Sequence, residues 1–138
     1  MNDEEFREVR IPSRMSEGRR VVEEFVTWIE SWGVTHDESL ALRHSLHEAI
    51  VNAVRHGNGG DHDRQVRVRY SVCNEEIRIE VEDEGPGFNR SLVADPRTDE
   101  NRCRPGGRGL MMMRHFMNSV EHNDRGNCVT MRRICERR

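Results

Sequence analysis

Two runs of strict alternation lie back to back in this chain. Val66, Val68, Tyr70 and Val72 are separated by polar residues, and after Asn74 and Glu75 the apolar positions resume at Ile77, Ile79 and Val81. A period of two puts these seven side chains on one face of an antiparallel hairpin and the intervening arginines and glutamates on the other. A hairpin that is apolar on one side needs a cover for that side, and the rest of the chain must supply it.

The cover reads as helices. Behind Ser16, the expected N-cap, Val22, Phe25, Val26 and Ile29 recur at helical spacing until Gly33 ends the segment. Asp37 is expected to cap a second helix over residues 38–56, with Leu42, Leu46, Ala49 and Ala53 as its apolar stripe and Gly57 as its stop. Residues 6–11 read as a short first strand ended by Pro12, which cannot donate to a ladder. Leu110, Met113, Phe116 and Met117 mark a third helix, and residues 128–134 a last strand paired with residues 119–123. Residues 89–108 are polar and punctuated by Gly and Pro, a length that compact domains keep for lids or binding segments. The order predicts an α+β fold, a two-layer α/β sandwich whose mixed, mostly antiparallel sheet is covered on one face by helices. At 138 residues the expectation is a single domain over 1–138.

Charge and composition exclude several functions. Lys plus Arg number 22 against 25 Asp plus Glu, a net charge of −3, so no basic field is available for nucleic-acid phosphates. No apolar run approaches the ~18 residues of a membrane span, and the charged amino end, MNDEEFREVR, does not read as a signal peptide, which predicts a cytoplasmic location. Cys73, Cys103, Cys128 and Cys135 form no C-x-x-C pair and read as free thiols. His44 and His47 lie one turn apart with no third ligand in a metal-binding pattern, which argues against a transition-metal hydrolase.

Three polar constellations break the pattern that core packing would set. Glu48, Asn52 and His56, within HEAIVNAVRHGN, are spaced i, i+4, i+8 and so share one side of a helix. A carboxylate there can accept a proton, and an amide oxygen is a hard ligand suited to Mg²⁺. Asp83 ends a predicted strand just before Gly85 and Gly87, where backbone can approach a ligand closely and the carboxylate can accept from an exocyclic amine. Gly106-Gly107-Arg108-Gly109 precedes the third helix, whose first N–H groups attract phosphate. Taken singly, the first two read first as a solvated helix face and a strand-exit turn, and the third also fits a flexible loop end.

Together and in this order, EAIVNAVRHGN, DEGPGF and GGRGLMMMRHFMNSVEHN resemble the nucleotide site of the GHKL ATPase superfamily. The short form is similar to the anti-sigma-factor serine/threonine-protein kinases of bacterial partner-switching systems, and the likeness spans residues 11–132. The resemblance implies ATP and Mg²⁺ as cofactors, Glu48 as general base and Asn52 as the Mg²⁺ ligand. It implies that Asp83 binds the adenine amine beside Gly85 and Gly87, and that His56, Gly107, Arg108, Gly109 and Leu110 complete the nucleotide contacts. Arg19 or Arg20 would meet a partner. The implied partners are an anti-anti-sigma protein of the STAS type, which would be phosphorylated, and a sigma factor, which would be sequestered by a homodimer without contact to nucleic acid or membrane. The alternatives are a nucleotide-holding module of the same fold that sequesters a partner without phosphorylating it, and the catalytic half of a histidine kinase whose phosphoacceptor lies on another chain.

Overall fold

A computed structural model describes residues 5–85 and 113–135. Strands β1 (Glu5–Pro12), β2 (Gln65–Cys73), β3 (Glu76–Asp83), β4 (Ser119–His122) and β5 (Cys128–Ile134) form one sheet in the order β1-β2-β3-β5-β4. Helices α1 (Met15–Ser31) and α2 (His36–Val51) cover one face, and α2 continues into a π-helical segment, Asn52–Gly57. The two-layer α+β architecture is as expected, but the sheet is not mixed: every pairing among the described residues is antiparallel.

The alternation sets the layers. Val66, Val68, Tyr70, Val72, Ile77, Ile79 and Val81 are all buried against the helices. Opposite them Arg67, Arg69, Glu80 and Glu82 stand on the outer face, where Arg67 pairs with Glu80 and Glu82, and Arg69 with Glu8. Helix α1 contributes Val21, Val22, Phe25, Val26 and Ile29 to the core, and Tyr70 meets the Phe25 ring edge-on at 5.0 Å between centroids. Residues 113–116 are helical, and Met113 and Met117 join the same core, but the third helix stops short of Asn118.

Both helix starts differ from expectation. Helix α1 begins at Met15 because the chain turns directly after β1: the N–H groups of Glu17 and Gly18 donate to Arg14 C=O, so Ser16 already lies within the first turn. At α2 the cap is Thr35, whose Oγ1 accepts from Glu38 N–H at 3.1 Å, while Asp37 lies in the first turn, where its charge meets the positive end of the helix dipole. The helices cross closely at Gly18, where a Cβ would lie 2.7 Å from Ile50 Cγ2. None of the described helices is long and apolar enough to cross a membrane.

Candidate functional site

Asp83 continues the inward series Ile77, Ile79, Val81, so the period of β3 aims a carboxylate at the core. It is only 9% exposed. Loss of hydration pushes its pKa up to about 6, against the lowering effect of Gly85 N–H, which donates to Oδ1 at 2.8 Å. Glu82 raises it further, and Arg125 and Arg64 pull it down.

Two glycines make room for this carboxylate. A Cβ on Gly57 would fall 2.1 Å from Asp83 Oδ2, and one on Gly85 would fall 1.7 Å from Gly57 C=O. The end of the π segment, the end of β3 and the turn after it therefore touch at positions that admit no side chain. The π segment itself explains the meeting: its wider i→i+5 turn, closed by Asn58 N–H donating to Ala53 C=O at 2.8 Å, brings Gly57 against β3.

That wider turn corrects the expected continuous α-helix over 38–56. Glu48 and Asn52 remain one turn apart and are half-buried, but the i, i+4, i+8 row breaks and His56 is exposed. Partial desolvation and the neighbouring Arg55 lower the pKa of His56. Arg20 is tied to Glu17 and Glu24 on the exposed side of α1, and Arg19 is exposed beside it. Gly87, Gly107, Arg108, Gly109 and Leu110 lie outside the described residues, as does the segment 89–108.

Other residues of the site have no periodic signal. Asn127 binds Asp83 through both backbone and side chain: its C=O accepts from Asp83 N–H at 2.9 Å and its Nδ2 donates to Asp83 C=O at 3.0 Å. Asn123 holds the turn behind it, Oδ1 accepting from the N–H groups of Gly126, Asn127 and Cys128. Arg125 reaches Gly85 C=O at 3.2 Å. In sequence, Asn127 reads only as a turn former and Arg125 as a turn charge, because the partners that give them a role, Asp83 and Gly85, are some forty residues away.

Cavities and donors elsewhere offer less. A shallow depression of about 200 Å³ on the outer sheet face is lined by Phe6, Arg69, Tyr70, Ser71, Arg78 and Glu80. Among the described residues no three His, Cys, Asp or Glu side chains cluster as a metal site. Cys128 and Cys135 are free thiols, and burial pushes both up to about 12. An oxygen-only Mg²⁺ position is compatible with this, since Mg²⁺ keeps waters and takes one or two protein oxygens beside substrate phosphates.

A two-layer α+β fold with an inward carboxylate at a strand end, flanked by glycines and by an Asn-bearing helix end, is the arrangement expected above for an ATPase-type nucleotide domain. The family model of the histidine kinase-like ATPase domain matches residues 11–133, and the chain belongs to that family. Within it the chain is 32% identical over 104 residues to an anti-sigma F factor of Clostridium perfringens, covering 72% of this chain and 74% of the relative. It is 31% identical over 106 residues to the serine-protein kinase RsbW of Bacillus subtilis, covering 72% of this chain and 66% of that one. A crystal structure of the RsbU and RsbW domains of a Mycobacterium tuberculosis protein matches 96% of this chain and 32% of its own, with a TM-score of 0.66 at 17% identity, a likeness of fold.

Proposed function

We propose that this protein is an ATP-dependent serine/threonine-protein kinase acting as an anti-sigma factor, which phosphorylates a STAS-type anti-anti-sigma partner and sequesters a sigma factor as a homodimer. The observation that supports the nucleotide site best is Asp83: a carboxylate held nearly out of water at a cost to its own ionisation, at a strand end where Gly57 and Gly85 pack so closely that no side chain fits. With Oδ1 accepting from Gly85 N–H, Oδ2 would be the oxygen that accepts from the adenine amine. The names of the relatives support the kinase and anti-sigma assignments.

The residues divide the work. Asn52 would hold Mg²⁺ through its amide oxygen, and Gly107, Arg108, Gly109 and Leu110 would meet the phosphates. Bound Mg-ATP supplies the transferable γ-phosphoryl group and the charge neutralisation that its departure needs. Glu48, one turn before Asn52, would orient a partner hydroxyl and take its proton as the oxygen–phosphorus bond forms and the bond to the leaving ADP oxygen breaks. Positioned bases of this kind contribute about 10²- to 10⁴-fold. Arg19 or Arg20 on the exposed side of α1 would contact the partner, and His56 would border the site from the π segment.

Thermal unfolding with and without Mg-ATP, followed by label transfer to a STAS-type protein, tests this. A ligand at a hundred times its Kd stabilises the native state by about 2.7 kcal/mol, roughly 8–12 °C in Tm for a chain of this size. Wild type is expected to shift and to transfer phosphate, Asp83→Asn to do neither, and Glu48→Gln to shift without transferring. A wild-type shift with no transfer to any such partner would leave the non-catalytic module, and no shift at millimolar Mg-ATP would end the nucleotide reading.

A further inference from the structure

Asn58 directly follows the π segment and is 1% exposed, yet it carries a complete amide into the interior. Both amide donors and the amide oxygen have protein partners. Nδ2 donates to Ser13 Oγ at 2.8 Å and to Gln65 C=O at 3.0 Å, and Oδ1 accepts from Glu84 N–H at 2.8 Å. The amide orientation is fixed by chemistry, since Glu84 N–H can only donate and Gln65 C=O can only accept. Ser13 Oγ spends its own proton on Arg64 C=O, at 2.7 Å, and so accepts from Asn58. One side chain thus joins the loop after β1, the start of β2 and the turn leaving β3, while its backbone N–H closes the π turn.

Two of those segments hold the residues assigned to the two ends of the nucleotide, Asn52 on the π segment and Asp83 one residue before Glu84. We infer that Asn58 is a positioning residue for purine selection: by holding Glu84 N–H it fixes where the Asp83 carboxylate stands relative to Asn52. This rests on the nucleotide reading of the same site. At its six position adenine presents an amine donor and guanine a carbonyl acceptor, so a carboxylate discriminates between them only while it stays within hydrogen-bonding reach. Freed from Asn58, Glu84 N–H loses its acceptor, the turn relaxes, and the neighbouring Asp83 moves with it.

The test is the ratio of affinities for Mg-ATP and Mg-GTP, measured by calorimetry together with Tm. Asn58→Ala is expected to lower the ATP-over-GTP ratio at least tenfold, mainly through ATP. Asn58→Asp keeps an oxygen for Glu84 N–H but loses both donors, and is expected to regain much of the ratio without regaining Tm. Gly18→Ala, which presses on Ile50 Cγ2 across the α1–α2 contact and on no atom of Asn58, Asp83 or Glu84, is the control that lowers Tm with the ratio unchanged. A wild-type ratio in Asn58→Ala, or an equal fall in Gly18→Ala, overturns the inference. Should Asn58→Ala fail to fold, Asn58→Ser, too short to reach Glu84, replaces it: a lower ratio than in Asn58→Asp supports the inference and equal ratios overturn it. Wild type that binds no Mg-ATP removes the nucleotide reading as well, whereas wild-type binding with an unchanged Asn58→Ala ratio removes this inference alone.

Discussion

Asp83 pays for its position in stability. Its pKa of about 6 in the folded chain stands above the ordinary 3.8, so between these values the native state holds a proton that the unfolded chain has lost. The resulting stabilisation is fully present below about pH 3.8 and is lost as pH rises through about 6. The difference is on the order of 2–3 kcal/mol at neutral pH. Asp83→Asn is therefore expected to raise the ligand-free Tm at pH 7 and to flatten its fall between pH 4 and 7, as read by unfolding scans of both proteins. Ligand binding should run the opposite way, because only the ionised carboxylate accepts from an amine without competition from its own proton. From pH 7 to pH 5 the ionised fraction drops about tenfold, and Mg-ATP affinity is expected to drop with it. An affinity independent of pH over this range would remove Asp83 from the amine contact. The residue was visible in the sequence because it ended a predicted strand just before Gly85 and Gly87. Asn58 and Asn127 were not, since an asparagine in a turn looks the same whether its amide faces water or a strand many residues away.

At the scale of elements, the alternating hairpin was fully legible, and its register follows from a two-residue turn. Asn74 and Glu75 both take positive φ, 52° and 71°, as that turn requires. Asn tolerates this conformation, whereas Glu there is strained by about 1–2 kcal/mol. Glu75→Gly is expected to stabilise the protein by about 0.5–1 kcal/mol in chemical denaturation, the gain in conformation being partly offset by the flexibility of glycine in the unfolded chain. Nucleotide affinity should not change, because the turn lies at the opposite end of β3 from Asp83. A loss of stability would mean that the Glu75 side chain holds the turn. The π segment was not legible. Ala49, Ile50, Ala53 and Val54 are all buried, and so broad a stripe fits an α-helix as well as one widened by a single residue. The difference appears only where the helix must meet β3 at Gly57, a tertiary demand that no local period records.

For the whole molecule, what matters is how far apart in sequence the site's parts lie. Ser13 meets Asn58 and Arg64, Asn58 meets Glu84, and Asp83 meets Asn127, so the Asp83 site exists only when the loop after β1, the π segment, β3 and the β4–β5 turn have all assembled. The helix α1 aromatics share the same core cluster, with Trp28 packed on Tyr70 at 4.8 Å between ring centroids and its Nε1 donating to Glu5 at 3.2 Å. A ligand that binds at Asp83 therefore stabilises contacts spread across the sheet and both helices rather than one loop. Unfolding followed by tryptophan fluorescence, which reports on the α1 side through Trp28 and Trp32, is expected to coincide with unfolding followed by far-UV dichroism. Mg-ATP should move both transitions upward by the same amount. If the tryptophan transition stayed fixed while dichroism shifted, the nucleotide end of the sheet would be opening as a unit of its own, and the core that joins Trp28 to β2 would not be what holds Asp83 in place.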